Sequence, residues 1–259
     1  MDETAGRPRI VLTVAVATAQ AEPDIAARKN GLYADAVARH GAEPIVLDAT
    51  ASAEERVAAF ATMDGLLLSG GADLDPDRYG QAVAGSVDIE PDRDALEAEA
   101  WSAAIARSVP VLGLCRGLQA INVLSGGTLL QHVEDHAGAG WGHGPAATHP
   151  LRVEAGSALD GFVGSDGPLV VNSYHHQGIR PDDLAPGLVA SAWADSSAGP
   201  LIEGLEAADG RFLIGVQCHP ERTESTPPAF ERLFAAFVAA SRVGRSAADL
   251  EPAGQPDRR

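Results

Sequence analysis

The sequence predicts an α/β protein: a mostly parallel sheet with helices on both faces, plus a small antiparallel β region. Three observations point there. Short apolar runs alternate with helix-length segments through the first half of the chain, the pattern of a parallel sheet covered on both sides. The second half changes to short strand-like runs separated by Gly, Pro or Asp. Between the halves, a buried strand passes straight into a helix through a G-x-C-x-G turn, Gly113 to Gly117.

In chain order, Arg9 to Val16 is rich in Val, Ile and Leu and reads as a buried strand. Ile25 to His40 reads as a helix stopped by Gly41, and Pro44 to Asp48 as a short strand. Ser52 stands three residues before Glu55, so a capping box should open a helix over Ser52 to Thr62. Gly65 to Ser69 is another apolar strand. Arg93 to Arg107 is an Ala-rich helix, acidic early and basic late, as the helix dipole favours. Val109 to Leu114 is a strand and Arg116 to Leu124 the helix after it. Six short strands follow: Thr128 to Val133, Leu151 to Glu154, Leu169 to Asn172, Leu188 to Trp193, Leu201 to Glu206 and Phe212 to Val216. The last helix, Pro228 to Arg242, is amphipathic through Phe230, Leu233, Phe234 and Phe237. One domain over residues 8–243 is expected, with residues 244–259 a disordered tail because they hold almost no large apolar side chain.

Bulk properties narrow the function. The net charge of −17 opposes binding to phosphate backbones or anionic lipid, so neither nucleic-acid nor membrane partners are expected. The acidic start lacks the basic region of a signal peptide, and the run Ile10 to Ala17 is too short to span a bilayer, which takes ~20 apolar residues. A cytoplasmic protein is expected, and a homodimer is compatible with the sequence. Two cysteines, Cys115 and Cys218, make neither a disulfide framework nor a zinc motif.

The G-x-C-x-G turn is the cysteine counterpart of a nucleophile elbow. It lifts the thiol to the carboxyl end of the sheet and sets it at a helix start, where the dipole favours negative charge. The Arg116 N–H would face a developing oxyanion. A lone cysteine is more often an inert core residue; the flanking glycines and the strand-to-helix context favour the nucleophile. A base and an orienting group are then required. Ile214 to Glu221 supplies them, ending in His219-Pro220-Glu221. In an extended segment residues i and i+2 share a side, so Glu221 can hold one ring nitrogen of His219 and leave the other for Cys115. A solvated His–Glu pair is the alternative for this short motif alone.

Four segments carry a family resemblance over about Ile10 to Arg242: Gly70 to Tyr79 (GGADLDPDRY), Gly113 to Asn122 (GLCRGLQAIN), Asn172 to Gln177 (NSYHHQ) and Gly215 to Glu221 (GVQCHPE). The chain resembles class I glutamine amidotransferase-like proteins, and among them the γ-glutamyl-γ-aminobutyrate hydrolase family. The resemblance implies a flavodoxin-like sheet, a Cys115–His219–Glu221 triad, and an oxyanion hole from the N–H groups of Gly71 and Arg116. It implies substrate contacts from Asp73, Tyr79, Gln119, Ser173, Tyr174 and His175, with no cofactor and no metal. Arg93, Asp94 and Glu97 resemble the family's helix start, either touching substrate or bracing the loop. The chain departs from the family at Cys218, where Trp is typical, at Leu130-Gln131-His132, and across Asp195 to Glu203. Cys218 should point away from His219.

The expected activity is hydrolysis of a γ-glutamyl amine, such as γ-glutamyl-γ-aminobutyrate or a γ-glutamyl polyamine, through a cysteine thioester. The alternatives are a glutaminase subunit passing ammonia to a partner synthetase and a non-catalytic relative. Acidic residues after Gly71 (Asp73, Asp75, Asp77, Asp88, Glu90, Asp92, Asp94) suggest attraction of cationic leaving groups, against the simpler reading of a solvated acidic loop. His132, His136, His143 and His149 read as surface histidines in a glycine-rich loop, because their spacings match no helical or strand metal pair.

Overall fold

The computed structural model describes residues 6–136, 147–164, 167 and 169–248, with side chains described to residue 243. Nine strands form one sheet in the order β2-β1-β3-β4-β9-β8-β7-β5-β6. The parallel half comprises β1 (Arg9–Thr13), β2 (Glu43–Leu47), β3 (Gly65–Leu68), β4 (Val111–Leu114) and β9 (Leu213–Val216). The antiparallel half adds β5 (Ala147–Val153), β6 (Leu169–Ser173), β7 (Leu188–Ser196) and β8 (Gly199–Ala207). The expected α/β class holds. The antiparallel strands continue the same sheet, because β9 pairs with β4 on one side and with β8 on the other.

Strand alternation divides the core into two layers. On one face Ile10, Leu12, Leu67, Leu112, Leu114, Ile214 and Val216 pack against helices α1 (Pro23–Ala38) and α6 (Glu231–Ala248), through Tyr33, Val37, Phe234 and Phe237. On the other face Val11, Leu66, Leu68, Val111 and Leu213 meet α2 (Ala53–Thr62), α3 (Pro91–Ala106) and α4 (Arg116–Leu124), through Ala59, Leu96, Ala100 and Ile121. The capping box of α2 is present: the Glu55 N–H donates to Ser52 Oγ (3.2 Å) and the Ser52 N–H to Glu55 Oε2 (2.7 Å).

Three local expectations change. Residues 128–133 form no strand. Leu130 makes a single two-bond bridge to Gly178, and its neighbours bond irregularly, Thr128 to the Asp183 carbonyl and Val133 to the His176 carbonyl. A short helix, α5 (Ala158–Val163), was not anticipated. Six residues are too few to show a period, and it is held by the Ser157 cap and by Glu206, which accepts from the Ala158 and Leu159 N–H groups. Helix α6 runs on past Arg242 to Ala248, and residues 249–259 of the expected tail lie outside the described residues.

Sheet order sets the site. β4 and β9 lie side by side with Leu114 opposite Val216, and the Cys115 N–H donates to the Val216 carbonyl (2.8 Å). Residues a hundred positions apart therefore emerge together at the carboxyl end of the parallel strands.

Candidate active site

Cys115 occupies the turn between β4 and α4 with φ 54° and ψ −109°. A non-glycine residue in such a region costs on the order of 1–3 kcal/mol and persists only where its surroundings enforce it. The flanking glycines show the enforcement. A Cβ on Gly113 would lie 2.5 Å from the Gly117 carbonyl oxygen, and one on Gly117 would lie 2.0 Å from the Leu68 carbonyl oxygen. The tight turn thus requires G-x-C-x-G on steric grounds.

His219, 1% exposed, is fixed through its backbone. Its N–H donates to Asn172 Oδ1 (2.8 Å), and its carbonyl accepts from Asn172 Nδ2 (3.0 Å) and Thr226 Oγ1 (2.9 Å). Nδ1 pairs with Glu221 Oε1 at 2.7 Å, as the His-x-Glu spacing predicts. Nε2 is the nitrogen left for the sulfur. Burial alone would lower the pKa of His219; the charges of Cys115 and Glu221, and its contacts with both, outweigh burial and raise it to about 10. Gln217 Nε2 donates to Cys115 Sγ at 3.5 Å. Cys218 packs in the apolar core, and burial pushes its thiol pKa up well beyond the ordinary range. Both cysteines are free thiols.

The residue that sequence reasoning missed is Tyr33, in the interior of α1. Its hydroxyl accepts from the Gly70 N–H (3.1 Å) and stands 3.4 Å from His219 Nδ1. A Cβ on Gly70 would lie 2.6 Å from both His219 Cε1 and the Tyr33 hydroxyl, so the loop after β3 must be bare to fit between them. Nothing local distinguishes Tyr33 from a core aromatic on an amphipathic helix.

Arg93, Asp94 and Glu97 brace this loop. Arg93 Nη2 donates to the carbonyls of Ser69 (3.1 Å) and Gly70 (3.0 Å), and its Nε pairs with Glu97 Oε1 (3.0 Å). The buried Arg116 guanidinium pairs with Asp94 and Glu97, and Thr13 Oγ1 donates to Glu97 (3.0 Å). Burial favours the neutral form of Glu97, but Arg116 and Arg93 outweigh it and hold its pKa below the usual value. The network joins β1, α3, the glycine loop and the elbow helix.

A cavity of about 480 Å³ opens at His219, lined among others by Tyr33, Gly70, Gly71, Lys29, Asp88 and Arg222. Tyr174 also belongs to this end: its ring meets His219 edge-on at 5.4 Å, under the Arg222 guanidinium at 4.2 Å. Ser173 is buried beside it. The other expected contacts are engaged elsewhere. Gln119 donates to Gln217 Oε1 (3.2 Å) and the Gln177 carbonyl (3.3 Å), one layer behind the sulfur. Asp73 accepts from the Val87 N–H (2.7 Å) and pairs with His176 (2.9 Å), and half-buried Tyr79 lies on the same loop. His175 points into a separate cluster around Glu203, its Nε2 3.6 Å from Glu203 Oε1.

Part of the acidic loop is already paired, Asp73 with His176, Glu90 with Arg93 and Gln20, and Asp94 with Arg116, while Glu22, Asp88, Lys29 and Arg222 all line the cavity. One further expectation is corrected. His136 is no surface histidine but buried, and its ring packs against those of His149 and His175; His143 lies outside the described residues.

Residues 11–221 match the peptidase C26 family. The chain belongs to that family. Within it, the chain is 38% identical over 196 residues to a provisionally named glutamine amidotransferase of Mycobacterium tuberculosis, matching 74% of this chain but only 60% of that relative's length. It is 30% identical over 220 residues to the γ-glutamyl-γ-aminobutyrate hydrolase of Escherichia coli K12, covering 80% of this chain and 84% of the relative. The solved glutaminase domain of Trypanosoma brucei CTPS superposes with a TM-score of 0.60 at 18% identity, over 90% of this chain and 93% of that one. A Thermoplasma acidophilum protein provisionally assigned as one chain of a GMP synthase does so with 0.63 at 18% identity, over 94% and 98%. These two likenesses show the fold, and the C26 match shows a hydrolase-type family of the class I glutamine amidotransferase kind.

Proposed function

We propose that the protein hydrolyses the γ-glutamyl amide bond of a small-molecule γ-glutamyl amine, with Cys115 as nucleophile, His219 as general acid–base and Glu221 as its orienter. The observation that carries this reading is the junction of β4 and β9. It holds a strained cysteine at a helix start next to a histidine whose far nitrogen is locked to a carboxylate.

In the first step Cys115 Sγ attacks the γ-carbonyl carbon. The N–H groups of Gly71 and Arg116 stabilise the oxyanion. The C–N bond breaks as the His219 imidazolium gives its Nε2 proton to the departing amine, leaving a γ-glutamyl thioester. In the second step His219 takes a proton from water, hydroxide adds to the thioester, and glutamate leaves as the C–S bond breaks. The thiolate and imidazolium are restored. Tyr174 and Ser173 border the glutamyl moiety. Asp73, Tyr79, Gln119 and His175 act through the packing of the loops around it. The reaction needs no cofactor or metal at the sulfur. No helix among the described residues is long and apolar enough to cross a membrane, and a cytoplasmic setting without nucleic-acid or membrane partners belongs to the same proposal.

A second reading is favoured by the glutamine amidotransferase names among the relatives: glutamine hydrolysis in service of a partner synthetase. The test is turnover by the purified chain alone. γ-Glutamyl-putrescine, γ-glutamyl-γ-aminobutyrate and glutamine are each assayed for glutamate release, with Cys115→Ala as control. Release from a γ-glutamyl amine in the wild type, lost in Cys115→Ala, supports the hydrolase. Release from glutamine only, and only with a partner present, replaces it by the second reading.

A further inference from the structure

Around Glu203, four side chains from four segments converge, one of them His175, the chain neighbour of Tyr174. His136 closes the turn that follows Val133, His149 lies on β5, His175 follows β6, and Glu203 lies on β8. One ligand atom each from His136, His149 and Glu203 lie within 4.8 Å of one another. Glu203 Oε2 is 3.6 Å from His149 Nε2, and Oε1 is 3.6 Å from His175 Nε2. The three rings stand at centroid distances of 5.1, 5.4 and 6.2 Å.

Two features set this cluster apart from a packed polar core. First, its five inward atoms lack hydrogen-bond partners among the described residues: Nε2 of His136, His149 and His175, and both oxygens of Glu203. Glu203 is 1% exposed. A buried carboxylate with neither oxygen bonded is costly, and native proteins seldom tolerate it without a counter-charge or ion. Second, every imidazole is already held by its other nitrogen. Nδ1 of His136 faces Asp135 Oδ1 (3.2 Å), that of His149 the Pro150 carbonyl (3.2 Å), and that of His175 the Gln177 carbonyl (2.9 Å). This is how metal-bound histidines are oriented: the outer nitrogen donates to a carboxylate or carbonyl and the inner lone pair points at the ion.

We propose that His136, His149 and Glu203, with His175 as fourth ligand, bind a divalent transition metal, for which zinc best suits the donor set. Three imidazoles and one carboxylate match zinc's four-coordinate preference, and imidazole nitrogen selects against magnesium and calcium. His136, His149 and Glu203 offer ligand atoms within 4.8 Å of one another, and His175 joins them through Nε2, 3.6 Å from Glu203 Oε1. The ion would tie the 134–136 turn, β5, the loop after β6 and β8 into one unit. Its role is structural, fixing the segment that carries Tyr174 against His219.

The test uses the full chain, untagged, in a Cys115→Ala background so that the active-site thiol cannot hold metal. Equilibrium dialysis against Zn(II), followed by metal analysis, is expected to give about one zinc per chain. Zinc should raise Tm, and dipicolinate should reverse the rise. Glu203→Gln and His149→Ala should each bind at least tenfold more weakly. Should these variants fail to fold, Co(II) in the parent protein decides: a tetrahedral d–d spectrum without a thiolate charge-transfer band supports the site. Absence of zinc uptake at micromolar concentration, uptake unchanged by both substitutions, or a thiolate band from Cys218 would overturn it.

Discussion

Two buried histidine–glutamate pairs, His219 with Glu221 and His175 with Glu203, behave in opposite ways. His219 meets Glu221 at 2.7 Å and its pKa rises to about 10. His175 stands 3.6 Å from Glu203, and burial carries its pKa down to about 3. Both rings are almost fully buried, so desolvation acts downward on each. The difference lies in the partners. His219 bonds a carboxylate, and the charge of Cys115 also favours its protonated form. His175 spends Nδ1 on a backbone carbonyl and shares its carboxylate with two other imidazoles. Geometry, more than burial, decides whether a buried histidine carries charge: the first pair can pass protons, and the second is arranged to hold a cation.

The comparison can be broken most forcefully at Glu221. Glu221→Gln removes one of the charges that raise His219, so kcat/KM is expected to fall by about 10²–10⁴-fold. The alkaline limb of the pH–rate profile, set near 10 by the imidazolium, should move to lower pH. An unchanged limb would show that Glu221 does not tune the histidine. The stability contribution has a definite sign. A pKa raised above the unfolded value of 6.5 stabilises below that pH and loses its effect as pH rises through 10.

Glu203 should show a different signature. Its pKa is raised from 4.5 to about 8 by burial, so in chelator the folded state binds the extra proton, and stability falls as pH rises through that window. Glu203→Gln should abolish that slope and gain on the order of a few kcal/mol over the metal-free wild type at about pH 9. Urea titrations at about pH 5 and pH 9 measure it. A parallel pH dependence in wild type and variant would contradict the assignment. For Glu97, which is paired with two arginines, the same substitution should destabilise instead, by about 3–5 kcal/mol, because it leaves buried charge uncompensated.

The smallest effect is expected at Tyr33. Tyr33→Phe removes the acceptor for the Gly70 N–H and the polar contact at His219 Nδ1, and kcat should fall by no more than about tenfold with KM little changed. A loss comparable to that of Glu221→Gln would promote Tyr33 from positioning to proton transfer.

Much of this was legible in the sequence wherever the constraint is local. Gly113 and Gly117 announce the elbow because carbonyl oxygens occupy the space their side chains would need. His219 and Glu221 announce each other through their i, i+2 spacing. Ser52 and Glu55 announce a helix start. What stayed hidden depends on strand order. Only the placement of β9 between β4 and β8 reveals that the antiparallel strands extend the main sheet, and no local pattern encodes that neighbour choice. Tyr33 reads as core from its helix. For Arg93, Asp94 and Glu97 the sequence leaves open substrate contact or loop bracing, and only the placement of Arg116 beside Asp94 and Glu97 decides for bracing. His136, His149, His175 and Glu203 come from four separate segments, so no metal-ligand spacing exists to be read.

Catalysis as proposed runs through a thioester between Cys115 and the γ-glutamyl group, and trapping that intermediate is the most direct test. Purified protein is mixed with a γ-glutamyl amine, quenched in acid during turnover and mapped by peptide mass spectrometry. The expected result is a glutamyl adduct on Cys115, absent from Cys218 and absent in Cys115→Ala, which should also show no turnover. Steady turnover in Cys115→Ala, or an adduct on any other residue, would contradict the mechanism.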